Sequence, residues 1–447
     1  MTDDASTASL DGVVRAAPAL LGSLRLPADK SVAHRALLFS AMGSGDAEIR
    51  LDRPGDDVLS MAGVLETLGA ARAIEREPDG MVRVSVRGGG SATAACLPGR
   101  GDEMLDCGNA GTAMRLLTGA LGARAATATL VGDDSLSSRP MERVAGPLRT
   151  MGVEVATTAG HAPLTITGRR PLKALDHRLR VASAQVIGCL TLAALAAKGT
   201  TTITSPGPTR DHSERMLAWL GAPVRREGPV TTIEGPAGFR NRDISVPGDI
   251  SSAATWLVAG ALHADAHIII EDVGLNPSRT GIIDVLRDMG ADIKVASDGP
   301  TRDCPEPVGT ITVSGGRPLH AIDLAGDRVA DIIDELPLVA VAMAAADGVS
   351  TLRDAAELRV KESDRIRLVV QNLQSVGTQA EERADGWVIA RGAPRPATIR
   401  TDSDHRIAMA FAVAALTGIA GTVDIDDPAC AAVSYPTFWT DMERLSR

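Results

Sequence analysis

Apolar positions recur in a fixed order along this chain. Six times, a cluster of Gly, Pro, Asp or Ser residues precedes an Ala-rich run with helical spacing; these segments open at Pro27, Asp106, Val181, Val246, Asp331 and Thr401. In the fourth run the apolar positions are Ile250, Ala253, Ala254, Leu257, Val258 and Ala261. Because a helix that is apolar on all sides is buried, the pattern predicts six buried helices.

A second pattern follows five of these runs. A helical segment ends in Leu-x-x-apolar-Gly before strand-like sequence, at Leu65–Gly69, Leu148–Gly152, Leu217–Gly221, Leu286–Gly290 and Leu373–Gly377. Glycine is the usual left-handed helix stop. Each unit therefore reads strand, helix, strand, helix, strands. An Ala-rich composition could produce part of this regularity, but the ordered steps favour six true repeats, in two domains of three.

The starts of the six predicted helices indicate which class of ligand the repeats could bind. The N-terminus of a buried helix carries free amides and partial positive charge, so six starts facing one cleft would attract anions. The net charge of −10 disfavours nucleic acid or an anionic membrane as partner, but allows a small anionic substrate. Aromatic residues make up only 2% of the chain, which indicates a core of Ala, Val, Leu and Ile.

Other common sites have no signature here. The five cysteines are scattered, without zinc or disulfide spacing, so neither a metal site nor a disulfide framework is expected. There is no Gly-x-Gly-x-x-Gly after a strand, no Walker loop and no Gly-x-Ser-x-Gly. Met1-Thr2-Asp3-Asp4 opens the chain without a basic or long apolar region, so a cytoplasmic location is expected.

The segment Arg359–Arg365 concentrates charge, since five of its seven residues are ionic. A helix beginning near Lys361 would place Lys361, Glu362 and Arg365 on one face. A carboxylate among cations could serve as a proton shuttle beside an anion site. The alternative is a solvated helix start stabilised by ion pairs.

Further chemistry-bearing residues lie at the other helix starts. Lys30 and Arg35 offer a point charge and a planar fork, while Ser31 could be a cap only. Gly111, after Asn109, allows close backbone approach to a ligand. Asp334 and Glu335 together raise the chance of a general base, although one of them could be a helix cap. The others are Arg139, Ser183, Ala184, Gln185, Asp404, His405 and Arg406.

The ordered motifs LPADKSVAHR, NAGTAMR, SSRPM, ASAQV, TRDHSERML, NPSRTG, IDELP, LRVKESDR and DHRIAM closely resemble the 5-enolpyruvylshikimate-3-phosphate synthase family. They span Pro27 to about Pro436. The resemblance implies a two-domain inside-out α/β barrel (α/β, or α+β) of six βαβαββ repeats. One domain would comprise residues 1–27 and 247–447, the other residues 28–246, with the active site in the cleft between them.

The same resemblance implies enolpyruvyl transfer from phosphoenolpyruvate to the 5-hydroxyl of shikimate 3-phosphate, on the route to chorismate and aromatic amino acids. No cofactor takes part. Asp334 would be the base, Glu362 the acid, and Lys30 a third catalytic residue. Shikimate 3-phosphate would contact Lys30, Ser31, Arg35, Ser183, Ala184, Gln185, Asp334 and Lys361. Phosphoenolpyruvate would contact Lys30, Gly111, Arg139, Gln185, Arg365 and Arg406. Asn109, Arg210 and His405 are further candidates.

Some positions depart from common family patterns and resemble the bacterial class II form. Ala28 replaces a usual glycine, Ala184 replaces a serine, and Ser434-Tyr435-Pro436 stands where some members carry a lysine. Gly111 is retained, which implies inhibition by glyphosate. A monomer is expected.

Two alternatives remain on the same scaffold. The enolpyruvyl transferase acting on UDP-N-acetylglucosamine would show a Lys-Asn start and a reactive loop cysteine, whereas this chain has Lys30-Ser31. A non-catalytic, nucleic-acid-binding relative is disfavoured by the pI of about 5.4.

Overall fold

The computed structural model describes residues 12–446, so the N-terminal residues used to argue against a secretory signal lie outside it. The α-helices in this range are α1 Lys30–Met42, α2 Asp56–Thr67, α3 Gly111–Gly122, α4 Asp134–Ser137, α5 Glu142–Met151, α6 Ala184–Ala194, α7 His212–Trp219, α8 Ile250–Leu262, α9 Gly281–Asp288, α10 Asp327–Asp331, α11 Leu336–Ala345, α12 Arg365–Ser375, α13 His405–Leu416 and α14 Phe438–Leu445. Short 3₁₀ helices occupy Ala356–Val360 and Pro428–Val433. Each described helix is too short or too polar to span a bilayer.

The strands of the same range are β1 Val13–Val14, β2 Leu20–Arg25, β3 Asp46–Asp52, β4 Ala71–Arg76, β5 Met81–Arg87, β6 Glu103–Asp106, β7 Thr127–Val131, β8 Glu154–Thr158, β9 His161–Thr167, β10 Leu172–Lys173, β11 Asp176–Arg178, β12 Ala197–Thr204, β13 Val224–Glu227, β14 Val230–Gly235, β15 Ile244–Ser245, β16 Ala266–Gly274, β17 Asp292–Thr301, β18 Cys304–Ser314, β19 Asp323–Leu324, β20 Val349–Leu352, β21 Gln379–Arg383, β22 Gly386–Ala390, β23 Ala397–Ile399 and β24 Val423–Ile425.

The chain forms two compact units. The first contains the described residues up to Pro27, Gly248–Gly299 and the chain from Val308 onward. The second contains Ala28–Pro247 and a short excursion, Pro300–Pro307, at the turn between β17 and β18. Each unit has its own apolar cluster, built mainly from Ala, Leu, Val and Ile.

The sheets repeat one topology. In the second unit, β6 pairs with β7 in parallel, β7 with β9 antiparallel, and β9 with β8 antiparallel. The sheet β19-β20-β22-β21 of the first unit repeats this order. A buried helix joins the parallel strands, as α3 joins β6 to β7. The predicted strand-helix-strand pattern is thus present.

Apart from the excursion Pro300–Pro307, the chain passes between the units twice, and each unit pairs a strand near the first crossing with a strand near the second. Strand β2 is parallel to β16 in the first unit, and β15 is parallel to β3 in the second. The amide of Asp249 donates to the carbonyl oxygen of Pro27 at 3.0 Å, and the amide of Asp29 donates to that of Pro247 at 2.7 Å. The two equivalent bonds fix how α8 and α1 begin.

The six Ala-rich segments predicted to be buried helices are helical and largely buried in the structure; they are α1, α3, α6, α8, α11 and α13. The five predicted glycine stops also hold. Gly69, Gly152, Gly221, Gly290 and Gly377 have φ of +72°, +96°, +87°, +109° and +95°. An L side chain rarely adopts this conformation, which is why glycine stands there.

Helices α3 and α6 pack backbone to backbone. A Cβ atom at Gly119 would overlap the carbonyl oxygen of Cys189, so α3 approaches α6 more closely than any larger residue allows. A residue without a side chain at Gly119 therefore lets the two helices pack closely in a core that contains few aromatic side chains.

We predict opposite effects for two glycine-to-alanine changes within helices. Gly119→Ala should lower the free energy of unfolding by ~1–3 kcal/mol, because the methyl group overlaps backbone. Gly63→Ala in α2, where a Cβ atom would meet nothing within 4 Å, should raise it by ~0.5–1 kcal/mol. Urea unfolding of both variants checks this; equal shifts would contradict it.

Candidate active site

Lys30 opens α1 in the second unit. Asp29 caps this helix, since its carboxylate accepts from the amide of Val32 at 2.9 Å. The Nζ atom of Lys30 forms an ion pair with the buried carboxylate of Asp57. Lys30 is thereby held at the helix start with roughly a quarter of its side chain exposed, at 28%.

Arg35 lies just over one turn further along α1 and is buried. Its Nε atom donates to Ser213 Oγ at 2.8 Å, and its Nη1 atom donates to the Ser31 carbonyl oxygen at 2.8 Å. Burial lowers the pKa of Arg35 to about 10, against the opposing effect of Glu214 and other carboxylates. Arg210 adds to this lowering, so the two cations lie in each other's field.

The starts of α3 and α6 are hydrogen-bonded to each other. Gln185 donates from Nε2 to Thr112 Oγ1 at 3.0 Å and accepts from Arg115 Nη1 at 2.7 Å. Ser183 caps α6 by accepting from the amide of Val186 at 3.4 Å, and Ala184 is its first helical residue. Gln185 therefore has a fixed orientation beside the first turn of α3.

Arg139 reaches the same helix start from the loop after α4. Its Nη2 atom donates to Asn109 Oδ1 at 2.6 Å, and Asn109 donates to Asp133 at 2.7 Å. A Cβ atom at Gly111 would lie 3.1 Å from the Nη1 atoms of both Arg139 and Arg115. The absence of a side chain at Gly111 thus leaves two guanidinium groups beside the α3 backbone.

Arg365 is the centre of the charged cluster in the first unit. It is 1% exposed, and its Nε atom donates to Asp404 Oδ2 at 2.8 Å. Its Nη2 atom donates to Glu362 Oε2 at 2.7 Å, and its Nη1 atom lies 3.6 Å from Asp334 Oδ1. One guanidinium group therefore holds three carboxylates around it.

The effect of the neighbouring charges on the pKa values of Arg365 and Asp404 is larger than the opposing effect of burial. Burial alone would lower the pKa of Arg365, but Asp404 and Glu362 raise it above its ordinary value. Burial would likewise raise the pKa of Asp404, yet Arg365 holds that pKa below its usual range. The pair is charged inside the protein, and Asp404 also caps α13 through the amide of Arg406 at 2.9 Å.

The expectation of a helix beginning near Lys361 is wrong. Lys361 has extended backbone after the 3₁₀ helix Ala356–Val360, and α12 begins only at Arg365. The helix starts there because Asp364 caps the amide of Arg367 at 3.1 Å, and because Ser363 Oγ donates to Asp404 at 2.9 Å. Lys361 still lies near Asp334, with Nζ 3.5 Å from Oδ1.

Asp334 and Glu335 have different surroundings. Asp334 is about one-fifth exposed, at 21%, whereas Glu335 is fully buried. Glu335 accepts from Ser251 Oγ, which in turn accepts from Arg279 Nη2 at 2.7 Å. Arg406 Nη1 lies 4.0 Å from Glu335 Oε1. Glu335 is thus a buried partner of Arg406, while Asp334 is partly exposed and lies near Lys361 and Arg365.

Several residues of these clusters carried no role in the sequence-based expectation, among them Arg115, Asp57, Arg279 and Ser251. Arg115 had a detectable signal, because it lies one turn after Gly111 in the NAGTAMR motif. His405, a candidate, is the buried first residue of α13 beside Asp404.

The segment where some family members carry a lysine belongs to the core. Tyr435 is buried, accepts from Trp256 Nε1 at 2.8 Å and donates to Asp441 Oδ2 at 2.9 Å. Phe438 stacks on Trp256 with ring centroids 5.7 Å apart. This segment closes the apolar cluster of the first unit and places no cation at the position in question.

Comparison with known proteins gives consistent similarities. The family model described as EPSP synthase (3-phosphoshikimate 1-carboxyvinyltransferase) matches residues 14–442. A 3-phosphoshikimate 1-carboxyvinyltransferase of Salinibacter ruber is 43% identical, covering 96% of this chain and 98% of the relative. The solved EPSP synthase from Acinetobacter baumannii superposes with a TM-score of 0.83 at 38% identity, over 97% of each chain. The enolpyruvyl transferase NikO from Streptomyces tendae shares the fold, with a TM-score of 0.74 at 19% identity.

We predict that Asp404→Asn lowers the free energy of unfolding at pH 7 by ~3–5 kcal/mol, because it leaves Arg365 partly uncompensated in the interior. The pKa of Asp404 is depressed in the folded state, so its contribution is present above its unfolded value, about 4, and is lost as pH falls below it. Urea unfolding from pH 7 to pH 3 should show the two proteins converging. A constant difference would contradict this.

Proposed function

The chain belongs to the EPSP synthase family, and from that premise we propose how its residues divide the family's reaction. The reaction is transfer of the enolpyruvyl group of phosphoenolpyruvate to the 5-hydroxyl of shikimate 3-phosphate, with release of phosphate, in the shikimate pathway. The fold is the family's two-domain inside-out α/β fold. We take the two domains as residues 1–27 with 247–447, and residues 28–246.

Of the three carboxylates around Arg365, those of Asp334 and Glu362 are the observation that carries the division of roles. Arg365 contacts both Asp334 and Glu362, so a base and an acid would lie on either side of one immobile cation. We assign Asp334 to accept the proton of the 5-hydroxyl, which makes that oxygen nucleophilic toward C2 of phosphoenolpyruvate. We assign Glu362 to protonate C3, which generates the cation at C2 that the 5-hydroxyl oxygen attacks. Cleavage of the C2–phosphate bond and loss of a proton from C3 then restore the double bond and release phosphate. Each transfer is worth about 10²- to 10⁴-fold in rate.

The cations hold the two anionic substrates. In the second unit, Lys30, Arg35 and Arg210 would bind shikimate 3-phosphate together with Ser31, Ser183, Ala184 and Gln185. Gly111, Arg139, Gln185, Arg365 and Arg406 would bind phosphoenolpyruvate, with Lys30 touching both substrates and Lys361 assisting the first. Guanidinium groups suit this task because their planar forks match carboxylate and phosphate. Fixed cations stabilise charge without reorganisation during the reaction.

Neither unit by itself contains all of the proposed site residues. Asp334 and Glu362 belong to the first unit, whereas Lys30, Arg139 and Gln185 belong to the second. The Salinibacter ruber relative is named a 3-phosphoshikimate 1-carboxyvinyltransferase and the Acinetobacter baumannii structure an EPSP synthase, which favours this acceptor over UDP-N-acetylglucosamine. We propose a monomer that acts in the cytoplasm on these small anions, without nucleic acid or membrane as partner.

We predict that the purified protein releases phosphate from shikimate 3-phosphate and phosphoenolpyruvate without added metal. Glu362→Gln should bind both substrates yet turn over at least about 10²-fold more slowly, because the amide cannot deliver the proton. A colorimetric phosphate assay, with calorimetric titration of shikimate 3-phosphate, measures both. Folded wild-type protein that releases no phosphate would reject the function; unchanged turnover in Glu362→Gln would reject the role of Glu362.

We predict inhibition by glyphosate, competitive with phosphoenolpyruvate. Gly111 leaves space beside Arg139 and Arg115, and a methyl group there would lie 3.1 Å from both guanidinium groups. Gly111→Ala should therefore raise the inhibition constant by more than it raises the KM of phosphoenolpyruvate. The measurement is steady-state inhibition at limiting phosphoenolpyruvate. Undiminished wild-type turnover at high glyphosate would contradict the prediction.

A further inference from the structure

The excursion Pro300–Pro307 gives the second unit a buried carboxylate from a distant part of the sequence. Strands β17 and β18 lead to and from the first unit, yet their connecting residues belong to the second. Asp303 anchors them, because its carboxylate accepts from Ser245 Oγ at 2.7 Å and its carbonyl oxygen accepts from the Ser245 amide at 2.9 Å. Cys304 is then buried, and Glu306 extends into the interior at 1% exposure.

Glu306 meets His212, the first residue of α7. The distance from His212 Nδ1 to Glu306 Oε1 is 2.8 Å, and His212 is 2% exposed. A carboxylate accepts only, so Nδ1 carries the proton and donates it. The other oxygen of Glu306 lies 3.5 Å from Arg215 Nε. Glu306 therefore holds the start of α7 from two sides.

The residues around His212 include one proposed shikimate 3-phosphate ligand, Arg210, and the hydrogen-bond partner of another, Ser213. Ser213 accepts from Arg35 Nε at 2.8 Å, which fixes the guanidinium group of Arg35. Arg210 precedes α7 by two residues, and its charge acts on Arg35. The position of His212 thus sets where two of the proposed phosphate-binding arginines stand.

We propose that Glu306 and His212 are positioning residues for shikimate 3-phosphate, acting through Ser213 and Arg210 rather than by touching the substrate. This inference rests on the proposed function, since it takes Arg35 and Arg210 as phosphate ligands. A hydrogen bond fixed by a buried carboxylate orients the groups next to it. Displacing a group that binds the substrate equally well in the ground state and the transition state raises KM without changing kcat.

The test separates this role from a general structural one. Glu306→Ala and His212→Ala should each raise the KM of shikimate 3-phosphate at least about tenfold and leave kcat and the KM of phosphoenolpyruvate within about twofold. His212→Asn, whose Nδ2 can replace Nδ1 as donor, should return the KM to within about threefold of wild type. The double variant should be no worse than the more severe single one, because both remove one interaction.

The matched control is Glu103→Ala. Glu103 forms a buried pair with Arg124 at 2.7 Å, beyond the end of α3 opposite Gly111. This variant should lower the midpoint of thermal unfolding without moving either KM. If the two alanine variants at Glu306 and His212 do not fold, His212→Asn and His212→Gln carry the test, because glutamine places its amide nearer the Nε2 position and should fail.

An unmoved KM of shikimate 3-phosphate in folded Glu306→Ala overturns the inference. So does an equal change in kcat and in both KM values, or identical behaviour of His212→Asn and His212→Gln. Wild-type protein that releases no phosphate rejects the proposed function, and this inference with it. Active wild-type protein with unmoved KM values in the variants rejects this inference alone.

Discussion

A buried helix start must satisfy the backbone amides that its own hydrogen bonds leave unpaired, and this constraint shapes both units. Four of the six buried helices, α1, α6, α8 and α13, meet it with a side-chain cap from Asp29, Ser183, Asp249 or Asp404. Helices α3 and α11 have no such cap. Those two starts lie beside Gly111 and directly after Asp334 and Glu335, where the proposed chemistry takes place.

Two buried arginines show how the same side chain is adapted to different tasks. The pKa of Arg35 falls because burial outweighs its carboxylate neighbours, and its donors go to a hydroxyl and a carbonyl oxygen. The pKa of Arg365 rises because three carboxylates surround it. Arg35 is thus an incompletely compensated cation, which suits its proposed role in binding shikimate 3-phosphate. Arg365 is compensated by carboxylates, which fix the position of its guanidinium group at the proposed phosphoenolpyruvate site.

The sequence reveals features that depend on local physics. Apolar periodicity gives the six buried helices, and the left-handed conformation required after a helix gives the five glycine stops. The start of α12 was misplaced because it depends on a contact between Ser363 and Asp404, which are 41 residues apart. The partners Asp57, Arg115 and Glu306 were missed for the same reason: which charges meet in the interior is decided by packing. The motif resemblance supplied roles for the candidate site residues, but it did not identify the side chains that keep those residues in position.

The pairing of β2 with β16, which is distant in the sequence, has a consequence for synthesis on the ribosome. Strand β2 leaves the exit tunnel early, yet its parallel neighbour β16 begins only at Ala266. The second unit is made almost entirely in the meantime, although it still lacks Pro300–Pro307. An unpaired, partly apolar strand edge therefore persists while a neighbouring unit condenses, which is when such edges associate with other chains. The architecture therefore lengthens the interval over which the nascent chain carries an unpaired strand edge.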